Sequence, residues 1–241
     1  MVTLCFDFGN TLKKCAVFHH QTLHKIIVLD NDNDDTINNI LQSIQPNKTI
    51  LSSVIHHNKN IETILNNYGG FHLLQSTSKL SFTTPVGKPE TIGADRLALC
   101  SAANLLYPYK NNLIIALGSC ITYNFINQQH QFLGGSISPG LQMRFKSLND
   151  YTALLPIIAP EPIFPLIGYD TKTNILSGVI LGMAKEIDGI IAEYETKFSN
   201  FNAILTGGDT TYFVSLLKSK IFADINFLYK GLYAISELNN T

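Results

Sequence analysis

Two aspartates in this sequence stand where a carboxylate could take part in chemistry. Asp7 lies near the end of TLCFDF, an alternating apolar stretch that predicts a strand, and Gly9 follows where the chain can turn tightly. Asp95 lies in GADR, which predicts the first turn of a helix, with Arg96 beside it. A carboxylate at a glycine turn suits Mg²⁺ and phosphate, and a second carboxylate can accept a proton from an attacking hydroxyl. Together they would suit phosphoryl transfer.

Three glycine turns follow predicted strands, in DFGNT, LGSCIT and LTGGD. Such turns present free N–H groups that can bind phosphate. Each alone also fits a plain connection, because DFGNT could be the tip of a β-hairpin and Asp209 of LTGGD could simply cap a helix. Asp95 and Arg96 could likewise be only the charges of a helix start. Taken as a set, the motifs favour a two-lobed kinase or nucleotide hydrolase with a central cleft.

The elements that must position these residues repeat along the chain. Alternating stretches up to TLHKIIVLD predict an antiparallel meander, and NDNDDTINNILQSI predicts a helix capped by Asn or Asp. After the helix predicted for GADRLALCSAANLLYP, the stretch NLIIALGSCITYNFINQQHQFLGGSI restarts the pattern of strand, glycine turn and strand. The second half continues with the long helix of TKTNILSGVILGMAKEIDGIIAEYETKF and a final strand in FNAILTGGD. Such a repeat indicates two similar halves facing each other and not a solenoid.

We therefore predict an α/β fold with two similar lobes, each a mixed sheet with flanking helices, and a cleft between them. The predicted lobes are residues 1–110 and 111–241, with the last helix able to pack back on the first lobe.

Composition excludes several classes of protein. With 45% hydrophobic residues, 15% charged residues and a net charge of −1, the chain is globular and has no basic face for nucleic acid. Its most apolar stretch is interrupted by polar residues and is too short to span a bilayer, and no signal-peptide pattern opens the sequence. The four cysteines form no CxxC pair, so we predict reduced thiols. We expect a cytoplasmic protein that binds neither nucleic acid nor membrane.

A run of motifs resembles the type III pantothenate kinases of the actin/hexokinase-like superfamily. In chain order these are DFGNT, GADRLA, LGSCIT, GGSISPGLQM with LNDYTALLP, IGYDTKTNILSG, LTGGD and YKGLYAI. The resemblance implies two actin/ribonuclease-H-like lobes and ATP-dependent phosphorylation of pantothenate at its primary hydroxyl, the first step of coenzyme A synthesis. It also implies Mg²⁺, a monovalent cation (K⁺ or NH₄⁺), and a homodimer with the substrate pocket near the subunit interface.

The resemblance assigns roles to the matching residues. Asp95 would be the general base, Arg96 the substrate anchor and Asp7 the Mg²⁺ ligand. Asn124 would stand at the position of the monovalent cation. The other residues implied to contact pantothenate are Gly93, Ala94, Thr171 and Val86. Those implied to bind ATP and its phosphates are Asp7, Gly9, Asn10, Thr11, Gly118, Ser119, Thr122, Gly207 and Gly208.

Three positions depart from the family pattern. The second phosphate motif usually begins with Asp, but here it begins with Ala116, which cannot bind Mg²⁺ or a metal-bound water. Asn124 replaces an Asp that usually contacts the monovalent cation, and Val86 stands where many members carry a Tyr. Loss of one metal ligand could cost on the order of a hundredfold in rate, so we predict a weakened kinase rather than an inactive one.

Two alternatives stay open at this point. A non-catalytic regulator that binds pantothenate or nucleotide is favoured by Ala116, while the retained GADR argues against it. A kinase for another small hydroxyl compound is the second alternative, because Val86 alters the wall of the predicted pocket.

Overall fold

The computed structural model describes residues 1–240, which form two compact units with one five-stranded sheet each. The first unit comprises Met1–Tyr109, Gln129–Leu133 and the segment from Asn226 onward, and the second comprises Lys110–Gln128 and Gly134–Ile225. The predicted α/β class with two mixed sheets is confirmed. The predicted lobe limits, 1–110 and 111–241, stay predictions.

The described residues form ten strands and seven α-helices. The strands are β1 Val2–Phe8, β2 Lys13–His19, β3 Thr22–Leu29, β4 Lys48–Ser53, β5 Phe71–Leu73, β6 Asn111–Leu117, β7 Cys120–Ile126, β8 Phe132–Pro139, β9 Phe201–Thr206 and β10 Phe222–Ala223. The helices are α1 Asp34–Ile44, α2 Asn60–Tyr68, α3 Ala94–Leu106, α4 Leu141–Asp150, α5 Thr171–Lys197, α6 Thr210–Phe213 and α7 Phe227–Asn239. The prediction that β9 is the final strand is wrong, because the two-residue strand β10 follows it and is too short to leave a period-2 pattern.

The two sheets have the same topology. The first has the strand order β3-β2-β1-β4-β5, and the second, taken from its other edge, has the order β8-β7-β6-β9-β10. In each sheet the central strand pairs antiparallel with the strand after it and parallel with a later strand. The predicted duplication of a strand, glycine turn and strand unit is therefore confirmed.

The central strand of the first sheet is buried on both faces. Leu4, Phe6 and Phe8 of β1 pack into a core that α1 and α2 share. Cys5, on the other face of the same strand, is also fully buried. On that face Phe18 of β2 stacks on Tyr233 of α7, with ring centroids 4.8 Å apart. Because both faces of β1 are covered, solvent can approach this strand only at its end.

Helices α3 and α7 pack in very close contact within the first unit. A Cβ atom on Gly231 of α7 would lie only 1.8 Å from the carbonyl oxygen of Ala98 in α3, so this position requires glycine. Helix α3 ends at Leu106, because Pro108 disfavours helical geometry at the residue before it. Helix α7 therefore packs against α3, the helix that begins with GADR.

The second unit is built around α5. Its residues Leu176, Ile180, Met183 and Ile187 recur at helical spacing and are buried in a core with residues of the second sheet. Asp170 caps this helix, because its Oδ1 accepts the backbone N–H of Thr173 at 2.7 Å. Among residues 1–240, no helix combines the length and the apolar character needed to cross a membrane.

Candidate active site

The first glycine turn joins β1 to β2 as a hairpin, and it leaves Asp7 just before the turn. The N–H of Gly9 donates to the carbonyl of Leu12 at 3.1 Å, while Asn10 and Thr11 are exposed at the tip. In the sheet, Asp7 lies beside Lys14 of β2 and Ser52 of β4. The hairpin interpretation of DFGNT is thus confirmed, and the exposed tip remains open to a phosphate.

The GADR motif opens α3 in a way that fixes the Asp95 carboxylate. Its Oδ1 accepts the backbone N–H of Arg96 at 2.9 Å. A Cβ atom on Gly93 would lie 2.6 Å from the same Oδ1, closer than any real contact. Gly93 therefore makes room for the carboxylate of Asp95, a role that the sequence alone did not suggest.

The structure brings Asp7 and Asp95 together within the first unit. Burial, and after it the negative charge of Asp95, raise the pKa of Asp7 to about 7, against the opposing charge of Lys14. Burial also raises the pKa of Asp95, against its hydrogen bond with the Arg96 N–H and the charge of Arg96. Two largely buried carboxylates that repel each other form a site that a cation would stabilise.

The residues around Asp7 fit a divalent cation with phosphate. The hydroxyl of Ser52 is buried without a hydrogen-bond partner, although it lies beside Asp7 in the sheet. Within residues 1–240 no group of three or more His, Cys, Asp or Glu side chains could hold a metal. Mg²⁺ suits such a site, since it usually takes one or two carboxylates and completes its shell with phosphate and water.

Arg96 is held over an aromatic ring that the sequence analysis missed. Its guanidinium carbon lies 5.5 Å from the centroid of the Phe132 ring, within cation–π range. Phe132 opens β8 and belongs to the first unit. Only the tertiary fold brings it to GADR, so no local pattern could have revealed it.

The second glycine turn, in the second unit, is a tight hairpin between β6 and β7. The N–H of Gly118 donates to the carbonyl of Cys120 at 3.0 Å, and Ser119 is partly buried. Gly140, at the start of α4, packs directly on this turn: its N–H donates to Ser119 O at 3.2 Å, and a Cβ there would lie 2.2 Å from Gly118 O. Gly140 is not among the predicted site residues, although the Pro-Gly pair of GGSISPG is a sequence signal for a turn.

The third glycine turn packs against the second within the same unit. Gly207 adopts a positive φ of 99°, and a Cβ there would lie 2.3 Å from the carbonyl oxygen of Leu117. The N–H of Asp209 donates to that oxygen at 3.3 Å, while Gly208 is exposed. Asp209 stands at the N-cap position of α6, as the alternative of a helix cap predicts, but its side chain makes no capping hydrogen bond.

Asn124 is fully buried in β7, and its side chain is already engaged. Its Nδ2 donates to Thr122 Oγ1 at 3.0 Å and to the carbonyl oxygen of Ile114 at 3.2 Å. These bonds use the amide nitrogen, whereas a cation would bind the amide oxygen, so the predicted place of the monovalent cation at Asn124 stays a prediction. The first of these bonds engages the hydroxyl of Thr122.

The remaining predicted residues lie apart from these turns along the chain. Thr171, the exposed first residue of α5, lines a cavity of about 600 Å³ in the second unit together with Asn174 and Arg144. Arg144 is held by an ion pair with Glu186. In the first unit, Val86 is partly buried in an irregular segment, and Ala94 is buried in the first turn of α3.

Comparison with known proteins gives one consistent result. Residues 3–193 match the family model described as Type III pantothenate kinase. The chain is 42% identical to the type III pantothenate kinase of Christiangramia forsetii over the whole of both chains. Among solved structures it is similar to a Campylobacter jejuni protein described as a Baf family transcriptional activator, with a TM-score of 0.62, 21% identity and 97% of each chain covered. A Listeria monocytogenes protein described as an N-acetylmannosamine kinase has a TM-score of 0.54 and 12% identity, with 98% of this chain and 99% of that one covered. These structures share the fold.

Proposed function

The chain belongs to the type III pantothenate kinase family, and we propose that it transfers the γ-phosphoryl group of ATP to the primary hydroxyl of pantothenate. The products are 4'-phosphopantothenate and ADP, and the reaction opens coenzyme A synthesis. The observation that carries the proposal is the pairing of Asp7 with Asp95, two carboxylates from distant parts of the sequence.

Asp95 serves as the general base in this proposal. Its carboxylate accepts the proton of the pantothenate hydroxyl, the oxygen attacks the γ-phosphorus, and the bond from that phosphorus to the bridging oxygen of ADP breaks. The raised pKa of Asp95 makes it a stronger base than an exposed carboxylate. Its bond to the Arg96 N–H, with Gly93 leaving room for the side chain, holds one carboxylate oxygen in place.

ATP is bound by the turns that the sequence analysis singled out. Asp7 is the proposed carboxylate ligand of Mg²⁺, which when bound neutralises charge on the phosphate oxygens. The proposed phosphate ligands are hydroxyls and backbone N–H groups of the glycine turns. These residues are Gly9, Asn10, Thr11, Gly118, Ser119, Thr122, Gly207 and Gly208. The N–H groups of Gly9 and Gly118 are bonded within these turns, so the proposed role of these two glycines is to let the backbone approach a phosphate closely.

Pantothenate is bound through its carboxylate by Arg96, whose guanidinium the Phe132 ring helps to hold. Gly93 and Ala94 contribute backbone contacts, and Thr171 contributes its hydroxyl. Val86 forms part of the pocket wall. Its apolar side chain cannot make the hydrogen bond that a Tyr hydroxyl could make at this position. A kinase for another small alcohol would use the same base, so the choice of alcohol is the specific point that an assay must settle.

A homodimer is part of the proposal. The segment between α4 and α5 exposes a run of large apolar side chains, with Tyr151, Leu154 and Ile163 at 88%, 92% and 86% of full exposure. Patches of this kind usually mark a protein interface. A second copy of the chain is the proposed partner at this segment.

A cytoplasmic location is also proposed, and it is supported by the cysteines, all four of which are free. K⁺ or NH₄⁺ is a proposed activator, and the amide oxygen of Asn124 is its proposed ligand.

The proposal is tested by measuring ADP release with and without pantothenate. We expect release that depends on pantothenate in the wild type, and a loss of about 10²- to 10⁴-fold in Asp95→Asn. Asp30→Asn, which neutralises an exposed aspartate of the first unit, is the matched control and retains the wild-type rate. Nucleotide and pantothenate binding without turnover would instead favour a regulator.

A further inference from the structure

The second glycine turn lacks a carboxylate on its own strands. β6 ends with Ala116 and Leu117, and the residues paired with Ala116 on the two neighbouring strands are Thr122 of β7 and Thr206 of β9. Residues paired in this way point to the same face of the sheet, so only a methyl group and two hydroxyls are found there. The first turn, by contrast, carries Asp7 beside Ser52.

Asp209 reaches the same turn from another part of the second unit. Its backbone N–H donates to the carbonyl oxygen of Leu117 at 3.3 Å, so it is tied to the end of β6. Its carboxylate is partly buried and makes no capping hydrogen bond to α6. A partly buried carboxylate with these surroundings is costly to the folded chain unless a ligand uses it.

The neighbouring residue supplies an independent sign of a missing ligand. Thr210 is 2% exposed, and its Oγ1 is buried without a hydrogen-bond partner. Its backbone N–H donates to Gly207 O at 3.3 Å, which places it in the same turn as Asp209. Buried hydroxyls are normally satisfied, so an orphaned one beside an unused carboxylate points to a group that both would contact.

We propose that Asp209, with the hydroxyl of Thr210, binds the Mg²⁺–phosphate group of ATP at the second glycine turn and supplies the carboxylate that Ala116 does not. This assignment rests on the proposed function for its ligand, a nucleoside triphosphate with a divalent cation. It requires no further cofactor, because a carboxylate and a hydroxyl provide the oxygen ligands that Mg²⁺ and its waters prefer.

The test is the affinity for ATP measured by calorimetry on the full chain, with Mg²⁺ and with EDTA. Asp209→Asn is expected to weaken binding tenfold or more with Mg²⁺ and to leave metal-free binding within about twofold. The double variant Asp209→Asn with Ala116→Asp moves the carboxylate to the end of β6 and is expected to recover most of the loss. Glu195→Gln removes an exposed charge of the same unit and serves as the control.

Thr210→Val provides a second, separable result. Removing an orphaned buried hydroxyl is expected to raise the melting temperature of the ligand-free protein while weakening Mg²⁺–ATP binding several-fold. A purely structural role would change stability and leave the affinity alone.

The inference is overturned if Asp209→Asn binds Mg²⁺–ATP as tightly as the wild type, or if its loss is equal in EDTA. If Mg²⁺–ATP binding depends on Asp209 but pantothenate is not phosphorylated, this inference stands and the proposed function fails. If pantothenate is phosphorylated and Asp209→Asn matches the wild type in affinity and rate, the proposed function stands and this inference fails.

Discussion

At the residue scale, the site depends on where two carboxylates are held and how their charge is balanced. Asp95 is fixed by a backbone N–H and by the missing side chain of Gly93, while Asp7 is buried beside it with only Lys14 in opposition. The contact of Gly93 with Asp95 predicts an effect on catalysis, and the burial of Asp7 predicts how stability depends on pH.

Gly93→Ala is expected to disable catalysis without unfolding the protein. The new methyl group would lie 2.6 Å from Asp95 Oδ1, and the carboxylate, as the far end of a side chain, would rotate away. Misplacing a catalytic group by about 1 Å costs about a hundredfold, so we expect kcat to fall by that order. Gly189→Ala, in open space on α5, is the control. An unchanged kcat in Gly93→Ala would contradict the role given to Gly93.

The titration of Asp7 predicts how stability depends on pH in the absence of metal. The pKa of Asp7 is about 7 in the folded chain, and in the unfolded chain it takes its ordinary value of 3.8. Between pH 3.8 and about pH 7 the folded chain therefore binds more protons than the unfolded chain. The free energy of unfolding must therefore fall as the pH rises through this window. Asp7→Asn removes that part of the slope.

Urea denaturation in EDTA at about pH 5 and about pH 7.5 measures the effect. The loss of stability between the two pH values should be smaller in Asp7→Asn than in the wild type by on the order of 2–3 kcal/mol. Equal losses in the two proteins would show that Asp7 titrates normally. Asp95 and Asp209 are present in both proteins, so the difference between the two losses reports the titration of Asp7 together with its repulsion by Asp95.

At the element scale, the same unit occurs twice: a strand, a glycine turn and an antiparallel strand. Much of this was predictable, because alternation and glycine are local signals: both hairpins, the cap of α1 by Asn33 and the end of α3 before Pro108 agree with the sequence analysis. The contacts between elements were not predictable in this way.

The long-range contacts explain what the sequence analysis missed. The meeting of Asp7 with Asp95 and the approach of Phe132 to Arg96 depend on tertiary packing, which leaves no periodic trace. A resemblance of motifs could name Asp95, but it could not show that Gly93 makes room for it or that Asn124 is engaged by its own strands. Residue type predicts chemistry, whereas burial and partners require the fold.

The packing of one glycine turn on another predicts a large cost for Gly207→Ala. The residue has a positive φ of 99°, and a Cβ would lie 2.3 Å from a backbone oxygen of β6. Strain and overpacking together should lower the free energy of unfolding by on the order of 3 kcal/mol. Gly208→Ala, next in the chain and with nothing within 4 Å of its Cβ, should change it little. Similar stability of the two variants would contradict this account of the turn.

At the scale of the whole molecule, the chain forms two units of the same topology, and its last helix joins the first unit. Gly231 allows α7 to lie against α3, so the C-terminal segment supports the helix that carries Asp95. The apolar segment between α4 and α5 belongs to the second unit, and most of its large apolar side chains are exposed.

That segment predicts an oligomer that one charge should disrupt. Leu154 is 92% exposed, so Leu154→Asp costs the single chain little, but it would bury a charge in an apolar interface. By sedimentation we expect a dimer for the wild type and a monomer for the variant. Leu105→Asp, at an exposed position of the first unit, should leave the dimer intact. A wild-type monomer at high concentration would refute the proposed dimer.

The most direct test of the central claim is identification of the product by mass spectrometry. The protein is incubated with pantothenate, ATP and Mg²⁺, beside Asp95→Asn and Asp30→Asn. We predict that phosphopantothenate accumulates with the wild type and with Asp30→Asn, and that it falls by about 10²- to 10⁴-fold with Asp95→Asn. A folded wild-type protein that forms no phosphopantothenate, or an Asp95→Asn variant that forms it at the wild-type rate, would contradict the account.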